Sequence, residues 1–315
     1  MPTNYKVFID GSAGTTGLRI ADRLAKAADI ELLPISAAGR KDVRERAKVI
    51  NSADLAFLCL PDAASIEVMP LLRPDVKILD TSTAFRTDPA WVYGFPELHG
   101  HREAIVGSAR VAVPGCYASG FIALIRPLVE LGLLPKELAV PCTGISGYSG
   151  GGKKMIADYE DANRPEKSKL DAPKSYGLGL AHKHLPEMRS VCGLTRAPAF
   201  VPVVCDYYSG MQVIVPLDTR QYGLAPGTAA NALADYYAGE SQITVHALNE
   251  ALPENGLYSA QLAGSDRLEI YPTANADGSE MLLVSLFDNL GKGSSGAAIQ
   301  CMNLMLGRPE TAGLE

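Results

Sequence analysis

The stretch of sequence that decides the fold is Tyr5-Lys-Val-Phe-Ile-Asp-Gly11-Ser-Ala-Gly14-Thr-Thr-Gly17-Leu-Arg-Ile20. Its first six residues are mostly apolar and end at a glycine, which predicts a buried strand. Three evenly spaced glycines follow, and apolar residues then recur at helical spacing from Leu18 to Ala25. A strand, a glycine loop and a helix in this order are the context in which a dinucleotide-binding loop is found.

The glycine loop itself predicts contact with a pyrophosphate. Residues without side chains let backbone N–H groups approach phosphate oxygens, and the N-terminus of the following helix adds positive potential. The spacing is G-x-x-G-x-x-G rather than G-x-G-x-x-G, and the alternative is an ordinary strand–helix turn that contains three glycines. The residues of this loop that we expect to bind a cofactor are Gly11, Ser12, Gly14, Thr15, Thr16 and Gly17.

The end of the second predicted strand indicates which dinucleotide is bound. An NAD site usually has an Asp or Glu about 20 residues after the loop, where it binds the ribose 2′-hydroxyl. Here the chain has Ser36, Arg40 and Lys41, and the next acidic residue is Asp42. One hydroxyl and two cations suit a 2′-phosphate, so the sequence predicts NADP (as NADPH) rather than NAD. The alternative is that Arg40 and Lys41 form the solvated start of a helix.

The rest of the N-terminal half alternates strands with helices. Strands are predicted at 30–35, 53–60 and 76–79, and helices at 41–51 and 63–72. This alternation predicts a parallel, doubly wound sheet with right-handed crossovers, that is, a Rossmann-type α/β domain.

The C-terminal half has a different pattern, with longer connections rich in glycine and proline. It favours a mixed sheet in an α+β domain. A last helix at 296–307 is expected to pack back on the first domain. The expected domains are therefore 1–115, joined by 291–315, and 116–290. The predicted elements of this half are a helix at 118–131 and strands at 138–142, 201–205, 212–217, 243–247 and 281–287.

Composition excludes several classes of protein. The formal charge is −6, from 29 basic and 35 acidic residues, so neither nucleic acid nor an anionic membrane is an expected partner. No apolar run approaches the roughly 20 residues that span a bilayer, and the N-terminus has no signal-peptide design. Six scattered cysteines without a C-x-x-C pair predict neither a disulfide framework nor a zinc site, and no metal is expected. We therefore expect a cytoplasmic protein.

One cysteine stands where chemistry is expected. Cys116 follows Val111-Ala-Val-Pro-Gly115 and precedes an apolar run, which places it where a predicted strand turns into a predicted helix. A thiol at a helix N-terminus faces the positive end of the helix dipole, which favours the reactive thiolate. The same backbone N–H groups can stabilise an oxyanion after the sulfur attacks a carbonyl carbon. On position alone, a purely structural thiol is the alternative.

Two of the five histidines lie together in the segment His182-Lys-His-Leu-Pro-Glu187. Two imidazoles, a cation and a carboxylate within six residues suit a general acid–base at His182 or His184, oriented by Glu187. Metal binding is the alternative, but no third ligand lies nearby in the sequence. The other histidines are expected in surface or structural positions: His99, His101 and His246.

Several motifs are spread over nearly the whole chain. They are Gly11–Gly17, Asp80–Arg86, Tyr93–Leu98, Pro114–Ser119, Ser146–Lys153, His182–Glu187 and Asp288–Gly293. Together they resemble the motifs of the N-acetyl-γ-glutamyl-phosphate reductase family, in its shorter (type 2) form. The P-G-C-Y-A-S and H-x-H-x-P-E pieces are specific in combination, whereas the glycine loop and D-N-L-x-K-G are shared with aspartate-semialdehyde dehydrogenases of the same superfamily.

The resemblance implies a Rossmann-type NADP-binding domain and an α+β catalytic and dimerisation domain of the semialdehyde dehydrogenase type. It also implies a reaction of arginine biosynthesis, the NADPH-dependent reduction of N-acetyl-L-γ-glutamyl phosphate to N-acetyl-L-glutamate 5-semialdehyde and phosphate. Cys116 would attack the acyl phosphate, and hydride would reduce the resulting thioester. His182 is the first choice for the general acid–base, with Glu187 holding its ring, and His184 is the second.

The resemblance also implies ligand contacts elsewhere in the chain. Asn289 is expected near the nicotinamide carboxamide. The guanidinium of Arg86 can bind a phosphate or carboxylate of the substrate bidentately, although a structural loop arginine is an equally good interpretation. The remaining residues expected to contact cofactor or substrate are Ser149, Gly150, Ser119 and Lys183.

Two other functions remain open from the sequence. One is a different acyl-phosphate reductase of the superfamily, acting on aspartyl phosphate or on a carrier-protein-linked aminoadipyl or glutamyl phosphate. The other is a catalytically silent NADP-binding protein, which need retain neither Cys116 nor the histidine pair. The expected partner is a small-molecule substrate, and the resemblance implies a homodimer or homotetramer.

Overall fold

The computed structural model describes residues 4–163, 167–250 and 256–315. The chain forms two compact units, each with one β-sheet. The first comprises Met1–Gly115 and Ser294–Leu314, and the second comprises Cys116–Gly293 and the terminal residue Glu315. Within the described ranges, no helix combines the length and the apolar character needed to cross a membrane.

Thirteen strands and eleven α-helices are present in the described residues. Up to residue 115 they are β1 (Tyr5–Asp10), α1 (Thr15–Leu24), β2 (Ile30–Leu32), α2 (Val43–Ser52), β3 (Leu55–Leu58), α3 (Asp62–Val68), β4 (Lys77–Asp80), β5 (Val92–Tyr93), α4 (His101–Gly107) and β6 (Arg110–Ala112). From residue 116 they are α5 (Cys116–Glu130), β7 (Pro141–Gly147), α6 (Gly152–Glu160), α7 (Lys167–Leu170), β8 (Lys174–Ser175), α8 (Leu185–Val191), β9 (Ala199–Cys205), β10 (Met211–Asp218), α9 (Thr219–Tyr222), α10 (Pro226–Tyr236), β11 (Ile243–Val245), β12 (Leu268–Ala274), β13 (Glu280–Phe287) and α11 (Gly296–Leu306).

The sheet of the first unit is parallel throughout, as the alternation of strands and helices predicted. Its strand order is β2-β1-β3-β4-β6-β5. The chain leaves β1 toward β2 on one side and later returns to β3 on the other, so the strand order reverses between β1 and β3. Ligands of open α/β sheets bind at the carboxyl ends of the strands that flank such a reversal. The glycine loop directly follows β1 and therefore lies at this edge.

The two faces of the first sheet are covered by different helices. Val7 and Ile9 of β1 pack with α1 and α11 on one face, and Phe8 packs with α2 and α3 on the other. This division follows from the alternation of side chains along a strand, and a parallel sheet with both faces covered is apolar on both. All eleven residues of α11 are buried, so this helix lies inside the core of the first unit.

A buried ion pair closes the carboxyl end of β1. The guanidinium of Arg46 in α2 donates to the carboxylate of Asp10 from Nε at 2.9 Å and from Nη2 at 2.7 Å. Arg46 also donates to the carbonyl oxygen of Ala64 in α3. Burial raises the pKa of Asp10, and Arg46 opposes that rise. The pair ties the residue before the glycine loop to two helices.

The sheet of the second unit is mixed, with the order β11-β12-β13-β10-β7-β9-β8. Its β11–β12 and β7–β9 pairs are parallel and its other pairs are antiparallel. Helix α5 packs on β10 and β13 very closely, because a Cβ at Gly120 would lie 2.6 Å from Ser285 Oγ and 2.7 Å from Val213 Cγ2. Residues 117–125 of α5 are all buried, which makes it the central helix of this unit.

The predicted fold class, a Rossmann-type domain and an α+β domain, is confirmed. In most cases the predicted strands and helices are present in the structure, and their observed first and last residues lie within a few residues of the predicted ones. The strand predicted at 138–142 is wrong for its first half, because β7 begins at Pro141. Leu138 and Val140 are buried there in a turn that starts with the bond from the Leu138 N–H to the Pro135 carbonyl. Because these residues are buried, their sequence has the apolar pattern of a strand, but their backbone does not form the hydrogen bonds of one.

Candidate active site

The glycine loop of the first unit is packed too tightly for side chains. Gly11 has a φ of +93°, and a Cβ there would lie 2.6 Å from the carbonyl oxygen of Cys59. A Cβ at Gly17 would lie 2.5 Å from the carbonyl oxygen of Gly11. The N–H of Gly14 donates to that same oxygen at 2.9 Å. These contacts fix the loop so that its backbone, not side chains, faces outward at the end of β1.

The N-terminus of α1 has donors to offer a ligand. Its N-cap, Gly14, has no side chain with which to cap the helix. The hydroxyl oxygen of Thr15 is buried and has no hydrogen-bond partner in the structure, while the hydroxyl of Thr16 lies 3.1 Å from that of Ser294. Ser12 is half-buried in the same loop. Backbone N–H groups at a helix N-terminus bind phosphates, so the loop fits a dinucleotide pyrophosphate.

The residues expected to select the 2′-phosphate lie on a short turn after β2. Ser36 Oγ accepts a hydrogen bond of 3.0 Å from the N–H of Gly39, and the side chains of Arg40 and Lys41 are exposed. The first acidic residue, Asp42, is the N-cap of α2, where its carboxylate accepts from the N–H of Arg44 at 2.8 Å. Because that carboxylate already caps the helix, an anion bound at this segment would meet two cationic side chains and no free carboxylate.

In the second unit, Cys116 is the first residue of α5, a position that matches the sequence prediction. It is half-buried and its thiol is not in a disulfide. A Cβ at Gly293 would lie 3.0 Å from the Cβ of Cys116, so the glycine lets the chain after β13 pass close to the cysteine. Burial raises the pKa of both Tyr117 and Tyr176, and a negative charge on Cys116 would raise both further.

The two candidate histidines lie in the same cluster. The rings of His182 and His184 meet edge to face with centroids 4.7 Å apart. The centroid of Tyr117, the residue after Cys116, is 5.7 Å from that of His182 and 6.0 Å from that of His184. Phe200 and Tyr176 complete the surroundings of His182, at 5.2 and 5.9 Å. The second unit thus brings the predicted cysteine and histidines together around one tyrosine.

The electrostatics of the cluster favour neutral rings. Burial, and secondarily the charge of Lys183, lower the pKa of His182 to about 4. Burial raises the pKa of Tyr176 to about 12 and raises that of Tyr117 further. At neutral pH, His182 is therefore an uncharged imidazole that can accept a proton.

Glu187 and Asn289 are both buried. Glu187 lies in the first turn of α8, directly after the histidines, and its contact with the His182 ring stays a prediction. Asn289 accepts from the N–H of Gly210 at 2.9 Å and donates to Ser149 Oγ at 3.0 Å. Its amide therefore links the Ser149–Gly150 loop to the turn between β9 and β10. Contact of Asn289, Ser149 or Gly150 with a cofactor also stays a prediction.

The three residues predicted to contact substrate differ in their surroundings. Arg86 donates from Nε to the carbonyl oxygen of Val113 at 2.9 Å and from Nη2 to that of Thr81 at 3.0 Å, which favours the structural interpretation of this arginine. Ser119 is completely buried in α5. Lys183, between the two histidines, is exposed.

Sequence reasoning did not single out Tyr117, Tyr176 or Phe200 as members of this site. The signal that was available is that Tyr117 directly follows the candidate nucleophile. The structure describes no group of three or more His, Cys, Asp or Glu side chains that could hold a metal ion, within residues 4–163, 167–250 and 256–315. His246 lies outside the cluster, with its ring nitrogens 3.1 Å from carboxylate oxygens of Glu250 and Glu269, as expected for a structural histidine.

Both halves of the chain match family models. Residues 6–107 match the model described as semialdehyde dehydrogenase, NAD binding domain, and residues 116–289 match semialdehyde dehydrogenase, dimerisation domain. The N-acetyl-γ-glutamyl-phosphate reductase of Trichormus variabilis is 45% identical, and the match covers 98% of this chain and 99% of that protein. The protein of the same name from Rhizobium meliloti is 46% identical, with 96% and 98% covered.

Solved structures with the same fold include two aspartate semialdehyde dehydrogenases. The one from Francisella tularensis has a TM-score of 0.71 at 14% identity and covers 96% of this chain and 100% of that one. The second, from Vibrio cholerae in complex with ASA, has a TM-score of 0.68 at 15% identity, with 96% and 98% covered. At this level of identity the likeness concerns the fold alone.

Proposed function

This chain belongs to the N-acetyl-γ-glutamyl-phosphate reductase family, and on that premise we propose that it catalyses the reaction named for its relatives. It reduces N-acetyl-L-γ-glutamyl phosphate to N-acetyl-L-glutamate 5-semialdehyde and phosphate, a step of arginine biosynthesis. The observation that carries the proposal is the identity of 45% over 98% of the chain. The gathering of Cys116, His182 and His184 around one tyrosine gives that reaction a nucleophile and a proton acceptor.

The nucleophile is Cys116. Its thiol gives its proton to the neutral imidazole of His182, and the thiolate attacks the acyl carbon of the substrate. The N-terminal N–H groups of α5 stabilise the oxyanion that forms. The proton on His182 then passes to the departing phosphate, which leaves Cys116 as a thioester. His184 is the second choice for this role, and Glu187 is the residue we assign to hold the His182 ring.

A bound nicotinamide supplies hydride for the second half of the reaction. Reduction of the thioester leaves the anion of a hemithioacetal on Cys116. Its oxyanion re-forms the carbonyl bond and expels the thiolate. The aldehyde leaves, and the thiolate regains a proton. Throughout, the task of the protein is to hold the sulfur and the acyl carbon in a reactive geometry, an effect that can contribute several kcal/mol to lowering the barrier.

We assign the cofactor as NADP and its site to the first unit. The glycine cradle, in which a Cβ at Gly11 or Gly17 would collide with backbone oxygens, fits the pyrophosphate. Ser36, Arg40 and Lys41 suit the 2′-phosphate. Arg40→Ala should weaken NADPH binding much more than NADH binding in a fluorescence titration, whereas Arg44→Ala, an exposed arginine of α2, should weaken neither. Equal losses for both nucleotides on Arg40→Ala would refute the 2′-phosphate assignment.

Further assignments follow from the same premise. Asn289, Ser149 and Gly150 form one hydrogen-bonded loop that we place near the nicotinamide. Ser119 and Lys183 we assign to the substrate side of the cluster. The second unit, as the catalytic and oligomerisation domain, would pair two or four copies of the chain. The six free cysteines suit a reducing compartment, and we place the enzyme in the cytoplasm.

The reverse reaction tests this function most directly. Oxidation of N-acetyl-L-glutamate 5-semialdehyde with NADP should require inorganic phosphate, because phosphate releases the acyl group from Cys116. Cys116→Ser should lose this turnover, while Cys205→Ser, a half-buried cysteine of β9 whose pKa is raised by burial, should retain it. Turnover of L-aspartate 4-semialdehyde alone would overturn the substrate assignment, and full turnover by Cys116→Ser would overturn the thioester.

A further inference from the structure

The ring of Tyr117 fits a slot whose floor is a glycine. Tyr117 lies in the first turn of α5, next to Cys116, and is 3% exposed. A Cβ at Gly144 in β7 would lie 2.3 Å from Cδ1 and 2.5 Å from Cε1 of this ring. Carbon atoms cannot approach so closely, so no other residue type fits at 144 while the ring stays in place. The absence of a side chain at 144 is thus a requirement of the tyrosine.

The other sides of the same ring contact the histidines and the next strand. Phe200 in β9 meets it edge to face with centroids 5.1 Å apart. His182 and His184 lie 5.7 and 6.0 Å from its centroid. Aromatic edge-to-face contacts in this range contribute specific geometry beyond the burial of area. The ring therefore touches both candidate acid–base groups and a strand that pairs with β7.

The hydroxyl of Tyr117 adds weaker contacts. It lies 3.3 Å from the hydroxyl of Tyr176, which donates to it, and 3.4 Å from the carbonyl oxygen of Val203, to which it donates. Both distances exceed those of strong O–H···O hydrogen bonds. The position of Tyr117 is therefore set mainly by the packing of its ring and only secondarily by its hydroxyl.

We propose that Tyr117 is a positioning residue, which uses the slot over Gly144 to fix Cys116 and His182 relative to each other. The proposal rests on the proposed function, in which Cys116 is the nucleophile and His182 the proton acceptor. In the proposed mechanism Tyr117 exchanges no proton and forms no bond with the substrate; it acts through its neighbours. Because Cys116 and Tyr117 are consecutive residues of one helical turn, a displaced Tyr117 ring rotates or lifts that turn. The sulfur then moves away from the imidazole that accepts its proton.

Filling the slot tests this role without removing any polar group. Gly144→Ala should push the Tyr117 ring out of place, and Tyr117→Leu should vacate the slot. A displacement of about 1 Å in a catalytic arrangement can cost roughly 100-fold in rate. We therefore expect kcat to fall about 100-fold in both variants, with KM changed less than about threefold, because neither variant removes Ser119 or Lys183, the groups assigned to the substrate. Gly227→Ala in α10, where an added Cβ meets nothing within 4 Å, is the matched control.

A second measurement does not depend on the substrate. The rate of iodoacetamide alkylation of Cys116, followed by mass spectrometry of its peptide across pH, reports how readily the thiol gives up its proton. Gly144→Ala and Tyr117→Leu should alkylate about tenfold more slowly at neutral pH, and Gly227→Ala should match the wild type. Tyr117→Phe, which keeps the ring, should recover the rate that Tyr117→Leu loses, to within about twofold.

The outcomes separate this proposal from the function on which it rests. A wild-type alkylation profile in Tyr117→Leu, or in a folded Gly144→Ala, would overturn the positioning role. Loss of alkylation in Tyr117→Phe equal to that in Tyr117→Leu would also overturn it, since the hydroxyl would then be the active part. If neither semialdehyde is turned over by the wild type, the function fails, while the alkylation comparison still decides the role of Tyr117.

Discussion

Replacing Arg46 with methionine should destabilise the first unit by about 3–5 kcal/mol, the usual effect of leaving a buried charge without its partner. Arg46 and Asp10 are joined by two hydrogen bonds of 2.7 and 2.9 Å, and each side chain is only 5% exposed. Methionine fills a similar volume but offers no donor. The carboxylate of Asp10 would stay buried at the end of β1 without a counter-charge, and the carbonyl of Ala64 would lose a donor as well.

The single tryptophan of the chain provides the assay. Trp91 belongs to the first unit and stacks on Phe85 with ring centroids 4.2 Å apart. Its fluorescence should therefore report the unfolding of that unit in urea. With a urea dependence of about 2 kcal/mol per M, the expected loss lowers the unfolding midpoint by about 1.5–2.5 M.

The size of the loss should depend on pH in a definite direction. Without Arg46, the folded-state pKa of Asp10 rises further above its unfolded value of about 4, because burial is no longer opposed. A carboxyl group whose pKa is raised by folding stabilises the fold below its unfolded pKa and loses that effect as the pH rises through its folded pKa. The deficit of Arg46→Met relative to the wild type should therefore be smaller at about pH 5 than at about pH 8.

A matched control lies on the same helix. Lys48 and Glu45 of α2 form an ion pair of 2.8 Å, but their side chains are 75% and 49% exposed. Lys48→Met should leave the midpoint unchanged, since exposed pairs add little stability. The double variant Asp10→Asn/Arg46→Met should recover most of the loss at high pH. A midpoint drop for Arg46→Met below about 0.5 M, or a deficit independent of pH, would refute the reasoning.

Two further predictions concern the candidate site. Gly11→Ala should weaken NADPH binding about five- to thirtyfold in a titration, since an L-residue in the left-handed region costs about 1–2 kcal/mol; Gly107→Ala, with open space around its Cβ, should bind normally. In a pH profile, kcat/KM should decrease on the acid side near pH 4, where His182 becomes protonated. Lys183→Gln should move this acid limb to higher pH, because it removes a charge that lowers the pKa of His182. A limb unmoved by Lys183→Gln would show that another group titrates.

Much of the fold was predictable because the spacing of apolar residues along the chain follows the secondary structure. Strands β1 to β4 and helices α1 to α3 of the first unit were visible as alternating apolar runs, and α11 as apolar residues at helical spacing, whereas β5 and α4 were not predicted. Strand β12, which contains Pro272, was not predicted, although the strands predicted at 201–205 and 212–217 also contain a proline. In the structure β11 pairs with β12 only up to Ile270, so the missing N–H of Pro272 lies beyond that ladder. Such a detail depends on the register of two strands, which no local pattern contains.

The candidate site was predictable in part for the same reason. Cys116 and the His182–Glu187 segment each carry a local signature, a helix start in one case and a cluster of polar groups in the other. The slot formed by Gly144 for Tyr117 carries none, because it joins two residues that only the packing of α5 on β7 brings together. Gly144 lies just beyond the strand predicted at 138–142, so no pattern in the sequence connected it with Tyr117.

The burial of α11 has a consequence for how the protein folds during translation. The first unit begins to form from residues up to 115, but α11, which covers part of one apolar face of its sheet, is translated only after residues 116–293. At a translation rate of 5–20 residues per second, that apolar face stays uncovered for about 10–35 s before α11 is synthesised. The second unit, made from one nearly continuous segment, can fold during this interval. The nascent first unit is therefore the part of the chain most exposed to aggregation, and the part for which a chaperone would matter most.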